Sequence, residues 1–260
     1  MTDICTDQVF SATDMAVALR QAMGQGVAVD AAGWPTELSA AQILAVQQQQ
    51  TRLWGEGADA PRYWKSGGPA RDLSLNHAPL PPARVYGNDA DMRAVPFLLR
   101  RVEAEIALRL ACDVDASAAQ ALQAGDVPGL LDSMAVSIEI VDSRWQQQLQ
   151  APDSLKAADL LCHGALVLGE WQPYATRDWS QQACQVRIGE QPVIKRTGTH
   201  SLQDPVWLLP QGLRHATQHF GTVRRGTVVT TGSWVGLLEA RAGDAVQVSF
   251  DGMSQLRVQL

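Results

Sequence analysis

Residues 101–110 read RVEAEIALRL, and residues 135–141 read AVSIEIV. Side chains two apart on a strand share a face. The first stretch therefore sets Val102, Ala104, Ile106 and Leu108 on one side, with Glu103 and Glu105 together on the other, followed by Ala107. The second turns Val136, Ile138 and Ile140 toward a core and leaves Ser137, Glu139 and Val141 opposite. Glutamate is depleted in strands and seldom buried without a partner. Two readings account for it here. One is a solvated sheet face on which Arg101 and Arg109 neutralise the charge. The other is a divalent metal site. If the two strands are neighbours, their carboxylates repel and each pKa rises unless a cation intervenes. An all-oxygen set without clustered His or Cys suits Mg²⁺ or Mn²⁺ rather than zinc. Three side chains would leave about three positions of an octahedron for water and substrate.

Outward from this pair, the chain divides by pattern. Residues 12–23 carry apolar positions at helical spacing, with Ser11 or Thr13 as cap and Gly24 as stop. A second helix starts at Ser39 and runs through AAQILAVQQQQTRLW, where Gln47 to Gln50 read as a solvated face. The stretches Trp64–Asp72 and His77–Asp89 are rich in Gly and Pro, which predicts a long loop without regular elements, of the kind that serves as a lid. Beyond the two glutamate strands, the spacing predicts strands at 164–169, 183–188, 192–196, 227–231, 245–250 and 254–260. Asp204-Pro205 predicts the start of a helix that Pro210 kinks. The expected fold is α+β: an N-terminal helical segment (1–60) leading into a β-rich body (61–260), as one folding unit.

Composition narrows the function. The 260 residues are 46% apolar, enough for a sizeable core, and the net charge of −6 argues against nucleic-acid phosphates as a main partner. No apolar run reaches the roughly 18 residues of a membrane helix. MTDICTDQVF lacks the basic and apolar regions of a secretory signal. Cys5, Cys112, Cys162 and Cys184 are far apart, which predicts buried, reduced thiols. These features point to a soluble, cytoplasmic protein. Dinucleotide, P-loop, zinc-protease and nucleophile-elbow motifs are absent, and Gly232-Ser233-Trp234-Val235-Gly236 lacks the glycine an elbow needs.

The stretches RVEAEIALRLACDV, IEIVDSRW, AADLLCHGALVLG and GTVVTTGS are similar, in the same order, to motifs of the 2-keto-4-pentenoate hydratase branch of the fumarylacetoacetate hydrolase superfamily. ILAVQQQ resembles that branch's A-Y-x-x-Q helix, and YWKSGG its G-x-K-x-G. The resemblance runs from about residue 35 to the end. It implies a β-rich mixed roll with an N-terminal helical part, assembled as a dimer or larger homo-oligomer. It implies Glu103, Glu105 and Glu139 as ligands of Mg²⁺ or Mn²⁺, with Lys65 as the motif lysine beside them. The chain departs from the branch in Lys65-Ser66-Gly67-Gly68-Pro69, where many relatives read K-I-G-L-T-S. It departs again in Asp159-Leu160-Leu161-Cys162-His163, which keeps only the aspartate of D-N-A-S-S. The glutamate–histidine lid pair of the hydrolase branch is not recognisable.

The implied substrate is a short unsaturated 2-oxo acid whose carboxylate and 2-oxo oxygen chelate the ion while a dienolate forms. Water addition at C4, as in a hydratase of aromatic catabolism, is the leading expectation. The alternatives are decarboxylation of a 2-oxo-3-hexenedioate, hydrolysis of acylpyruvate-type C–C bonds, and a catalytically idle partner subunit. Lys65 is the candidate for proton transfer or oxyanion stabilisation, its pKa expected to fall toward neutrality. Asp159 is a second catalytic candidate, to orient a water or a metal-bound ligand, with a helix or turn cap as its other reading. His200, His77 in the expected lid, and Arg71 are candidates for holding substrate; Arg62 is a further possible clamp and Ser137 a neighbour of the metal ligands.

Overall fold

Ser11 opens the first helix by accepting from the Asp14 amide at 3.2 Å, and Gly26, at φ 66°, ends it. The computed structural model describes residues 10–55 and 59–260, so Cys5 lies outside the described residues. In chain order the elements are α1 (Ala12–Gln25), α2 (Ala40–Leu53), β1 (Tyr63–Gly67), β2 (Asn76–Pro79), β3 (Val85–Gly87), β4 (Ala90–Asp91) and β5 (Arg101–Leu110). Then come α3 (Ala116–Ala121), β6 (Leu131–Val141), α4 (Asp153–Ala158), β7 (His163–Leu168), β8 (Gln172–Pro173), β9 (Ala183–Ile188) and β10 (Ile194–Thr197). The last are α5 (Leu209–Phe220), β11 (Val228–Thr230), β12 (Leu238–Glu239), β13 (Ala245–Phe250) and β14 (Gln255–Gln259).

These strands form a nine-stranded mixed sheet with the path β2-β1-β11-β5-β6-β7-β3, with β12 paired to β5 and β8 to β6. A second sheet runs β10-β9-β13-β14-β4. Val102, Ala104, Ile106, Val136, Ile138 and Ile140 bury one face of the large sheet in a core shared with Val186, Val248, Phe250 and Leu256 of the small one. The opposite face of β5 and β6 is thereby left to carry the glutamates. α1 and α2 build a second core with α4 through Met15, Leu19, Val46, Trp145 and Leu155. This is the α+β, β-rich roll with an N-terminal helical part that the sequence predicts.

Several local expectations are corrected. Gly24 lies inside α1, and Gly26 takes the left-handed position two residues later. Ser39 does cap α2, in a reciprocal box with Gln42, but the glutamines are not a solvated face. Gln47 and Gln50 are buried and donate to the carbonyls of Ala157 and Ala158 at 3.0 and 2.9 Å, tying α2 to α4. The Gly/Pro-rich middle is not one long loop: β1 to β3 form in it and β4 directly after it, because β2 pairs with β1 and three strands from later in the chain, β11, β7 and β14, pair with the short extended runs β1, β3 and β4. Asp204 caps a turn by accepting from the Val206 amide at 2.8 Å, and α5 starts only at Leu209. Pro210 falls in the first turn of α5, where its missing N–H costs no hydrogen bond, so there is no kink. Cys162 and Cys184 are buried free thiols, whereas Cys112 is exposed.

Candidate metal centre and its pocket

β5 and β6 pair antiparallel, and Glu103 stands directly opposite Glu139 while Glu105 stands opposite Ser137. The strand pleat therefore points all three carboxylates to one side, and one oxygen from each lies within 4.8 Å of the others. Glu105 is 1% exposed and Glu139 0%, with Glu103 part-buried beside them. That overturns the solvated-face reading. Arg101 and Arg109 do not neutralise the cluster either: they pair with Glu239 and Asp132, each at 3.0 Å.

Burial, then the neighbouring carboxylates, push Glu103 up to about 8. Glu105 is pushed up to about 7 by the same two causes, although Thr230 donates its hydroxyl to Oε2. Ser137 joins this contact, its hydroxyl 3.1 Å from that of Thr230. Glu139 moves the other way: burial raises it, but Lys65 and His163 together hold it below the usual carboxylate range.

Lys65 reaches the cluster from β1, which lies two strands from β5 with β11 between. Its ammonium donates to Glu139 Oε1 at 2.7 Å and to the Leu161 carbonyl at 3.3 Å. Burial alone would push its pKa down, but Glu139, Glu103 and Glu105 outweigh burial and the net direction is up. The expectation of a lysine drawn toward neutrality is thus reversed by its carboxylate neighbours; a bound cation would act against them.

Leu161 presents that carbonyl from an unusual turn. Leu160, Leu161 and Cys162 all have positive φ, at 51°, 56° and 59°. Three successive left-handed non-glycine residues are costly and persist only where surroundings hold them. The holding group is fully buried Arg144, whose Nε donates to Asp159 Oδ1 at 2.5 Å, and whose NH groups donate to the carbonyls of Asp142, Asp159 and His163. The Arg144 amide donates to the second oxygen of Asp159 at 2.9 Å.

Asp159 is therefore corrected from water-orienting residue to anchor of this turn, since both its oxygens are taken and it does not line the pocket. His200 is corrected as well. It is buried, its Nε2–H donates to the Thr231 carbonyl at 2.8 Å, and its Nδ1 accepts from the Leu202 amide at 3.3 Å, leaving no ring nitrogen for a substrate. His77 lies on the side of the strand facing α5, hydrogen-bonded to Ser66 across the β1/β2 pair and 5.1 Å from the His215 ring. Burial pushes it down to about 3. Arg71 is exposed, donates through Nε to the Leu202 carbonyl at 2.6 Å, and stacks over Trp207. Arg62 is exposed before β1.

The cleft above the carboxylates has a volume of about 370 Å³. Lys65, Glu103, Glu105, the Leu161 turn, Gly67, Gly68, Asn76, Ser201, Gly232, Ser233 and Gly236 line it. Ser201 donates to the Gly68 carbonyl at 2.7 Å and fixes the loop after β1 at the rim. Sequence reasoning missed Asn76, Ser201, Thr230 and His163. His163 follows directly from the altered D-L-L-C stretch, and that departure was the available signal. Its Nδ1–H donates to Glu139 Oε1 at 2.9 Å.

The donor set fits a hard divalent cation. It is all carboxylate, and Glu139 Oε2 is buried with no hydrogen-bond partner among the described residues. A buried carboxylate oxygen without a donor is costly, and a cation would satisfy it. Two carboxylates that hold protons near neutral pH for want of a counter-charge tell the same story.

A β-rich roll with an acidic triad on one sheet face defines a class of carboxylate-site protein. Residues 66–260 match the family model described as Fumarylacetoacetate (FAA) hydrolase C-terminal, and the chain belongs to that enzyme family. None of the curated proteins matches it in sequence. Among solved structures, it is similar to 4-oxalocrotonate decarboxylase from Pseudomonas putida G7 complexed with magnesium and adipate. That match has a TM-score of 0.81 at 15% identity and covers 95% of this chain and 96% of that one. It is also similar to fumarylpyruvate hydrolase from Pseudomonas aeruginosa in complex with Mn²⁺ and pyruvate (TM-score 0.56, 12% identity, 77% of this chain and 89% of that one). A third is 2-hydroxyhepta-2,4-diene-1,7-dioate isomerase from Mycobacterium marinum (TM-score 0.55, 12% identity, 77% and 74%). No helix among the described residues is long and apolar enough to cross a membrane.

Proposed function

We propose that the protein is a divalent-metal-dependent lyase of short unsaturated 2-oxo acids, acting as a hydratase on substrates with a single carboxylate. The observation that carries the reading is the contact of Lys65 with a carboxylate triad at the floor of an open cleft. Glu103, Glu105 and Glu139 would hold Mg²⁺ or Mn²⁺. When bound, the ion supplies a Lewis acid for the carboxylate and 2-oxo oxygen of the substrate.

The chain's own groups do the rest. Lys65 is charged; its Nζ gives the proton that C5 takes up and receives the one lost from the 2-hydroxyl, as the 2-hydroxy-dienoate becomes the 2-oxo-enoate. Glu139 and the Leu161 carbonyl hold that Nζ at the cleft from two directions until it moves to the substrate. Water then adds at C4, and C3 takes the second proton, so one water is consumed per product. The bonds from Thr230 to Glu105 and from His163 to Glu139 keep both carboxylates from turning.

Decarboxylation of a dicarboxylic 2-oxo acid is the second reading, and the decarboxylase neighbour, which holds adipate, favours it. The lining of the cleft favours hydration. Among the described residues, Lys65 is the only cationic side chain lining it, and the far end is formed by Asn76, Ser201, Ser233 and glycines. The three carboxylates, the ammonium and a divalent ion together are neutral. A second substrate carboxylate would be desolvated there without a counter-charge.

The test is loss of ultraviolet absorbance from freshly generated 2-hydroxypenta-2,4-dienoate and from 2-oxohex-3-enedioate, with Mg²⁺ and with chelator. Mg²⁺-dependent loss with the first and little with the second is the expected result. Faster turnover of the dicarboxylate would move the assignment to the decarboxylase, and turnover of neither would remove the lyase reading.

A further inference from the structure

Two donors converge on one oxygen of Glu139. Lys65 Nζ stands 2.7 Å from Oε1, and His163 Nδ1 stands 2.9 Å from the same atom. Oε2 of the same carboxylate is buried with no partner among the described residues, and so is Nε2 of His163. His163 is 0% exposed and sits at the start of β7, where strand pairing fixes its backbone against Val141 of β6, two residues from Glu139. Lys65 is different: it reaches in on a long flexible side chain, and the proposed reaction requires its ammonium to move toward substrate.

We infer that His163 is a positioning residue that commits Glu139 to ligating a divalent cation through Oε2 alone, and that it keeps Glu139 committed while Lys65 is away. This rests on the reading of the triad as a metal site. The lysine is then free to exchange its proton without loosening the metal, because the second donor on Oε1 stays. The cost of the arrangement is the bare, buried Nε2, which a smaller polar side chain would not carry. The serine of D-N-A-S-S has no ring to reach across the strand pair, so the change at Cys162-His163 builds this contact rather than merely losing the motif.

The test is Mg²⁺ and Mn²⁺ affinity by calorimetry on the full-length protein, with thermal midpoints of the metal-free forms as the check on folding. Asn and Leu have nearly the same shape, and only Asn keeps a donor near the Nδ1 position. His163→Leu should bind metal about 10–100-fold more weakly than wild type, the range typical of lost partners of metal ligands, while His163→Asn recovers most of it. Lys65→Ala should keep affinity within about threefold, since it also removes a competing cation beside the ligands. Equal affinities for His163→Leu and His163→Asn would overturn the inference. So would a loss of about tenfold or more in Lys65→Ala, a result that decides the matter even if His163→Leu does not fold. No binding by the wild type would instead remove the metal reading on which the inference stands.

Discussion

Glu103 and Glu139 are register partners, facing one another directly across the β5/β6 pair. Like charges so placed oppose sheet formation, by about 0.2–1 kcal/mol at an ordinary site. In this sheet the repulsion is relieved by protons held near neutral pH, by Lys65, and by whatever cation enters.

The first consequence is a stability that depends on pH and metal together. Glu103 and Glu105 stand at about 8 and about 7 against an ordinary 4.5, because burial and mutual repulsion disfavour their charged forms. The folded metal-free protein therefore binds these protons more tightly than the unfolded chain does. Their stabilising effect is full below 4.5 and is lost as pH rises through 7 to 8. His77 and His215, pushed down to about 3 and about 4 by burial, titrate below this range. Thermal melts between about pH 6 and 8.5 should show the metal-free midpoint falling, and the gain from Mg²⁺ widening over the same interval. A gain that narrows with pH would mean the ion does not replace these protons.

Replacing Glu103 with Gln keeps the shape and removes one ligand and, above about pH 8 where Glu103 is charged in the metal-free protein, one repelling charge. Metal affinity and turnover should fall together, while above that pH the metal-free protein becomes more stable by about 0.2–1 kcal/mol. Calorimetry and denaturant melts on the same preparation check both. Retained turnover at wild-type Mg²⁺ demand would exclude Glu103 as a ligand.

Lys65→Ala should lower kcat by about 10²–10⁴-fold, the usual contribution of a positioned proton carrier. Steady-state kinetics at saturating Mg²⁺ gives the answer. A kcat within a few-fold of wild type would return Lys65 to the role of a structural counter-ion for Glu139.

The sequence made the glutamate face legible because strand alternation is a local property, and the apolar residues between the glutamates fix which way the pleat turns. The motif order made the roll legible. What stayed hidden depends on partners far away in the chain. Gln47 and Gln50 are buried because the carbonyls of Ala157 and Ala158 wait for them, over a hundred residues on. Asp159 reads as a pocket residue until Arg144 is seen to occupy both its oxygens. The short strands β1 to β4 lack periodicity of their own and exist through pairing. His200 offers no clue in sequence that its ring already has two backbone partners.

The Arg144–Asp159 pair should prove more important to folding than any ion pair at the surface. Both side chains are fully buried. Arg144→Met leaves the Asp159 carboxylate buried without its partner, a change that costs about 3–5 kcal/mol. It also releases the left-handed turn that holds the Leu161 carbonyl against Lys65. Urea unfolding should register the loss, and a midpoint unchanged from wild type would show that other contacts hold the turn.

In the proposed reaction the carboxylate triad and Lys65 together add water to a monocarboxylic 2-oxo acid. The most direct test is the mass spectrum of the product formed from 2-hydroxypenta-2,4-dienoate by wild type and by Glu103→Gln, each with Mg²⁺. The expected product is heavier than substrate by one water with wild type, and none forms above background with the variant. Unchanged substrate with fully metal-loaded wild type, or equal hydration by both proteins, would contradict it.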